Sequence, residues 1–370
     1  MYLRYNNCYT TVYRKAAIGP HSMQSSKQAT LKLLPDSVAL QYSELMQQCV
    51  RPLSDGSNLS FKSKSIKGRT YWYLYISLGS RRSEHYLGAD SSEMRARIEN
   101  EKSLWESSAD DRDLRARLVA MLLAGGATTT PTNEGKVMSL LERGGVFLAG
   151  GVVVGTLAFR AYANMLGVRW ASDLQTRDID IATDNTFRVA VNNETPVDLT
   201  ELLMDSGMGF LEVPALNRKS ASTEFKIKGQ ELAVELLTPM TGKNSSQPVK
   251  IDALSSFAEP VRYLDYLLED VQPAVLLFKH GVLVNVPSPA RYAFHKLVVS
   301  QRRPIAMQEK IKRDIAQANQ LFQVLLDVRP FDITQAATHA KAMGAKFEKQ
   351  MLAGIKLLPE AIATELAENL

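Results

Sequence analysis

The 370-residue chain is predicted to be an α+β protein in three parts: an N-terminal α/β module, a central domain on a mixed sheet, and a helical C-terminal region. Three observations lead there. Residues 58–88 alternate aromatic or aliphatic side chains with basic ones, the period-two pattern of strands. Residues 133–288 interleave short Val- and Ile-rich runs with short helical patterns, and from Pro289 onward apolar residues recur at helical spacing.

A hydrophobic content of 45% with 22% charged residues supplies a core and excludes a disordered chain. The longest uncharged stretch, between Arg143 and Arg160, is broken by Gly150, Gly151 and Gly155 and is shorter than the roughly 20 residues of a membrane span, so no membrane association is expected. Cys8 and Cys49 are too few for a disulfide framework or a cysteine-based zinc site, in keeping with a reducing cytoplasm. A net charge of +5 is compatible with polyanionic company such as nucleotides or RNA without requiring it.

Residues 1–35 lack Asp and Glu and carry Arg4, Arg14, Lys15, Lys27 and Lys32. No long apolar run follows, so the segment reads as a disordered tail, with Met23 as an alternative start, and not as a secretory signal. Residues 36–125 read as a helix and antiparallel-sheet module. Lys67-Gly68 and Gly79-Ser80 supply turns between three strands, and residues 91–124 form a helix with Ser91 or Ser92 as N-cap and Leu114, Leu118, Met121 and Leu122 at helical spacing. Gly125-Gly126 ends that helix and marks a domain boundary.

The central domain, 133–288, opens with a short helix over 134–142. The Val-rich run VFLAGGVVVGT reads as a strand that turns into the helix LAFRAYANML, with Ala158, Tyr162 and Met165 on one face. Next come a strand at RDIDIA, a helix over 199–204, strands over 224–228 and 232–237, and the hairpin-like AVLLFKHGVLVNV. The C-terminal region, 289–370, starts with the helix ARYAFHKLVVSQRR, continues with an amphipathic helix over 307–326, and ends in short helices from residue 332.

The chemistry concentrates in the central domain. In RDIDIA, strand alternation points Asp178 and Asp180 to one face and Ile179 and Ile181 to the other. Two carboxylates that close repel unless a cation sits between them, so the pair reads as a hard-metal site for Mg²⁺; a solvated strand edge is the alternative. Upstream, Gly155-Thr156 lies where the Val-rich strand enters a helix. Gly permits close backbone approach, free N–H groups at the helix start can hold phosphates, and the Thr156 hydroxyl adds a donor. Glu235, between Val234 and Leu236, is costly to bury without a cation. It supplies a third carboxylate or else faces solvent from an edge strand. Arg177 turns away from the metal face, and His295 has no ligand partner at metal spacing.

The segments VVVGTLAFRAYANMLGVRW, TRDIDIA and LAVELLTP together resemble the DNA polymerase β-type nucleotidyltransferase superfamily. The chain is similar to bacterial stand-alone nucleotidyltransferases near the abortive-infection and minimal-nucleotidyltransferase groups. The resemblance covers about residues 145–239, and VPSPARYAFHKLVVSQRR extends it past Arg303. It implies a polymerase β-like catalytic domain that transfers a nucleoside monophosphate from a nucleoside triphosphate, ATP among them, to a hydroxyl of an RNA or tRNA end, a protein or a small molecule. It also implies two Mg²⁺ ions, with Mn²⁺ as a substitute, on Asp178, Asp180 and Glu235, with Glu235 standing where the family more often has Asp. Gly155 and Thr156 fall on the phosphate-binding signature, and Lys296 and Arg303 reach the triphosphate from the second wall of the cleft. The competing reading is a nucleic-acid-binding or toxin–antitoxin-type interaction protein with a vestigial nucleotidyltransferase domain.

The sheet at 58–88 adds a possible polymer-binding face. Lys62, Lys64, Lys67, Arg69, Arg81 and Arg82 stand among Tyr71, Trp72, Tyr73, Tyr75 and Tyr86. Either these cations and rings bind RNA or DNA, or the rings are the sheet's own core and the charges its wet side.

Overall fold

The computed structural model describes residues 31–50, 59–78, 81–171, 178–184, 197–215, 220–242, 247–368 and 370. Of the tail expected over residues 1–35, residues 1–30 lie outside the described residues, as do the Gly79-Ser80 turn and Arg177, whereas Lys32 and Leu33 are ordered, paired as a strand with Arg169 and Val168. The N-terminal part holds β1 (Lys32–Leu33), α1 (Asp36–Val50), β2 (Leu59–Ile66), β3 (Arg69–Leu78), β4 (Arg81–Ala89) and α2 (Ser92–Ala124). The central part runs through α3 (Thr132–Arg143), β5 (Val152–Val153), α4 (Gly155–Met165), β6 (Val168–Arg169), β7 (Asp178–Ala182), α5 (Leu199–Met204), β8 (Phe210–Glu212) and β9 (Glu224–Ile227). It continues with β10 (Ala233–Pro239), β11 (Val249–Ile251), β12 (Ser256–Val261), α6 (Leu264–Leu268), β13 (Val271–Leu276) and β14 (Val282–Pro287). Five helices follow: α7 (Pro289–Ser300), α8 (Gln308–Val328), α9 (Pro330–Ala342), α10 (Ala345–Ile355) and α11 (Glu360–Glu368). The architecture is thus mixed α and β with helices gathered at the C-terminus.

The central sheet is mixed. Its main path runs β11-β12-β10-β7-β5, with β9 also on β10 and β8 on β9. β7, β10 and β12 are parallel, whereas β5, β9 and β11 pair antiparallel to their neighbours. Ile179, Ile181, Val234 and Leu236 are fully buried, so the opposite face of these alternating strands carries the acids. The same core continues through Phe294 and Leu297 of α7 to Leu321, Phe322 and Leu325 of α8.

The Val-rich run yields a shorter strand than its composition suggests. Gly145 and Gly150 take positive φ of 79° and 92°, and Val146 N–H donates to Leu141 O while Gly151 N–H donates to Val146 O. This loop consumes the first half of the run, so only Val152 and Val153 pair as a strand.

In the N-terminal part, β2, β3 and β4 form an antiparallel sheet. Ser91 caps α2, its side chain accepting from Met94 N–H at 3.1 Å. A second core joins this part to the β13–β14 hairpin. Val38, Tyr42, Leu45 and Cys49 of α1 meet Leu118, Val119 and Leu122 of α2 over Val275 and Leu277. The Tyr42 hydroxyl accepts from Val275 N–H at 2.9 Å and donates to Val275 O at 3.3 Å. Next to it, Thr130 N–H donates to Leu277 O. Among the described residues no helix is long and apolar enough to cross a membrane.

Candidate functional site

Parallel pairing of β7 with β10 sets Asp180 opposite Glu235 and Asp178 opposite Ala233. Asp178 is exposed and Asp180 half-buried, while Ile179 between them is buried, so both acids occupy the face opposite the core. Burial pushes the Asp180 carboxyl up, as does Asp178 beside it, while Lys296, Lys310 and Arg303 pull it down. Glu235 is raised well above the usual carboxylate range, first by burial, then by Asp180 and a hydrogen bond with Glu259. Two more acids therefore border the site: Glu224 opposite Glu235 on β9, and Glu259 opposite Leu237 on β12.

Gly155 opens α4 with φ of +64°, a region costly for any residue with a Cβ. A Cβ at this position would overlap the Asp180 carboxylate. The strand-to-helix turn and the acidic strand are thus packed so closely that only glycine fits. Val154 N–H donates to Asp180 O at 3.0 Å, and the Tyr292 hydroxyl of α7 donates to Gly155 O at 2.8 Å. Thr156, the second residue of α4, is buried. Asn164, about two turns further along, locks the helix to residue 128 by donating to Thr128 O and accepting from Thr128 N–H.

The cations come from the C-terminal helices. Lys296 Nζ donates to Asp314 Oδ1 at 2.8 Å, and Arg303 Nε donates to Asp314 Oδ2 at 2.5 Å. Asp314 is buried on α8. Burial alone would raise its carboxyl, but Lys296 and Arg303 outweigh that and hold it below the usual range. One buried carboxylate thus fixes two cations that act on Asp180. His295, beside Lys296, is buried and its pKa is pushed down to about 3, by burial first and then by Lys296. It is a neutral packing residue.

The sequence-predicted residues Asp178, Asp180, Glu235, Gly155, Thr156, Lys296 and Arg303 fall on β7, β10, the start of α4, α7 and the turn after α7. Asp180 is the hub, linked to Gly155 by packing and to Glu235, Lys296 and Arg303 by charge. Sequence reasoning missed Lys310, Asp314, Tyr292, Glu224 and Glu259. Around Glu259 the structure buries Ser256 and exposes Phe257, so the order of polar and apolar residues gave no signal for its strand. Nothing local in the sequence connects Asp314 to Lys296.

Among the described residues no three His, Cys, Asp or Glu side chains form a ready-made metal cluster. The donor set nevertheless suits a hard cation. Mg²⁺ is commonly held by one or two carboxylates together with substrate phosphates and water, without an all-protein cage. Burial and neighbouring acids raise both Asp180 and Glu235, even with Lys296, Lys310 and Arg303 opposing the shift at Asp180, so a further cation on this face would favour their ionised forms.

A family model described as Nucleotidyltransferase matches residues 132–342, more than half of the chain. The match starts at the first residue of α3 and ends at the last residue of α9, and so takes in every site element described above. No curated protein and no solved structure matches the chain.

Proposed function

The chain belongs to the nucleotidyltransferase family, and from that membership we propose that Asp178 and Asp180 bind a divalent metal and anchor the transfer of a nucleoside monophosphate from a nucleoside triphosphate to an acceptor hydroxyl. As a family member it is a transferase of phosphorus-containing groups. The observation that carries the proposal is the contact of the Asp180 carboxylate with Gly155 at the start of α4, under the charges of Lys296, Arg303 and Lys310.

In this reading Asp178 and Asp180, with Glu235 beside them, hold Mg²⁺ or Mn²⁺. The bound metal would neutralise triphosphate charge and acidify the attacking hydroxyl. The first N–H groups of α4, aided by the helix dipole, take phosphate oxygens at Gly155 and Thr156. Lys296, Arg303 and Lys310 face the same charge from the helical side. The acceptor oxygen forms a bond to the α-phosphorus, the bond from that phosphorus to the bridging oxygen breaks, and pyrophosphate leaves. Glu235, opposite Asp180 on the neighbouring strand, receives the hydroxyl proton once the metal's charge holds it ionised. The acceptor is an RNA or tRNA end or a protein hydroxyl.

The test offers the full chain each nucleoside triphosphate radiolabelled at the α-phosphate, with Mg²⁺, cellular RNA and lysate protein. Wild type should move label to one acceptor class, and the Asp178→Ala/Asp180→Ala double variant should move none. Equal transfer by both proteins would refute the assignment. So would nucleotide affinity that is unchanged by EDTA and by the double substitution.

A further inference from the structure

The three-stranded sheet of β2, β3 and β4 has two unlike faces. On one, Phe61 stacks on Trp105 of α2 with ring centroids 4.8 Å apart. Trp72 donates from its indole N–H to Asp90 at 2.8 Å, and Gly88 leaves room for Met94 of α2. Helix α2 therefore covers this face. Cross-strand partners share a face, and the register pairs Lys62 with Tyr73, Lys64 with Tyr71 and Tyr73 with Tyr86. These side chains, with Tyr75, make up the opposite face. The aromatic rings of this sheet are consequently not all its core.

On this open side Lys62 and Lys64 are exposed, Tyr86 is 60% exposed, and Tyr71, Tyr73 and Tyr75 are half-buried. Tyr86 lies 6.0 Å from Tyr71 and 5.6 Å from Tyr73 by ring centroids. Lys62 stands over Tyr75, and Lys64 over Tyr73. Glu84 is engaged by Lys64 at 2.6 Å. Lys62, Lys67 and Arg69 have no carboxylate partner among the described residues. The face thus combines uncompensated positive charge with adjacent rings.

We infer that this open face binds single-stranded RNA. Lysines beside tyrosine rings complement a chain of phosphates carrying unpaired bases, because the cations follow the backbone and the rings stack on base faces. A duplex hides its base faces and leaves the rings without a counterpart. The hydroxyls of Tyr71, Tyr73 and Tyr86 make no hydrogen bond among the described residues. A ribose 2′-hydroxyl can pair with them and a deoxyribose cannot, and this selects RNA over DNA.

The test measures fluorescence anisotropy of a labelled short oligouridine with the full chain in the absence of any nucleoside triphosphate, so its outcome is independent of the Asp178 and Asp180 assignment. Oligodeoxyuridine and an RNA duplex serve as competitors, and circular dichroism checks each variant's fold. Tyr86→Ala should weaken oligouridine binding about 10-fold. Lys62→Gln should reduce the slope of log affinity against log salt by about 0.7. Tyr86→Phe, which keeps the ring, should retain binding but narrow the preference over oligodeoxyuridine. The inference is overturned if oligouridine fails to bind, if the DNA or the duplex binds more tightly, or if folded Tyr86→Ala and Tyr73→Ala both bind as wild type does.

Discussion

At Gly155 two demands meet in one residue, a φ of +64° and a space filled by the Asp180 carboxylate. Gly155→Ala is therefore expected to lose about 1–3 kcal/mol of stability through backbone strain and to displace Asp180. A urea midpoint reads the first effect and Mg²⁺-dependent nucleotide binding the second; unchanged binding would detach Gly155 from the site. His295 gives a pH signature. Its folded pKa of about 3 lies below its unfolded value, so the unfolded chain takes up the proton first. The stability held by its neutral form is complete above about pH 6.5 and declines as pH falls toward the folded value. His295→Leu should flatten the stability profile over that interval in denaturant titrations. Alternation placed Asp178 and Asp180 on one face in the sequence, because a strand has only two faces, and Glu235 stood out as an acid within an apolar run. The glycine's contact with Asp180 was not legible, since it depends on the separation of two elements in space.

Between elements, α7 and α8 are tied by Asp314, which receives Lys296 and Arg303. Replacing it with Asn leaves two cations facing each other with no anion. Asp314→Asn should cost about 3–4 kcal/mol, the lower part of the range for breaking a buried pair, because Arg303 is partly exposed. Nucleotide affinity should fall with it as Lys296 and Arg303 lose their fixed positions. Thermal unfolding together with titration of nucleotide separates the two effects. Helical periodicity revealed α7 and α8 themselves, because each has its own apolar repeat. The strands β8, β11 and β12 escaped notice because a run of three to six residues carries too little alternation. Their pairing partners, far along the chain, decide their state.

Across the whole molecule, two cores meet at the β13–β14 hairpin, whose Val282 and Val284 join the central core and whose Val275 joins the N-terminal one. Leu122 is fully buried in the second core, and Leu122→Ala should cost about 2–5 kcal/mol. Burial also pushes the Cys49 thiol up to about 12, so it is inert in the native chain. In a Cys8→Ser background Cys49 should resist a thiol reagent, and Leu122→Ala should make it reactive. Equal resistance in both proteins would mean that α1 stays docked without Leu122. No local pattern showed that residues 36–50 dock on a hairpin more than 200 positions later, for hydrophobic spacing identifies a buried face without naming what buries it. The Tyr42 and Thr130 contacts to β13 have a further result. Val275 and Leu277 turn backbone groups outward along the strand's free side, where a strand from another molecule could add itself. Tyr42 fills both positions at Val275, and Thr130 takes the next carbonyl. One phenol and one amide thus do the work of a neighbouring strand, and keep the hairpin from recruiting copies of itself into aggregates.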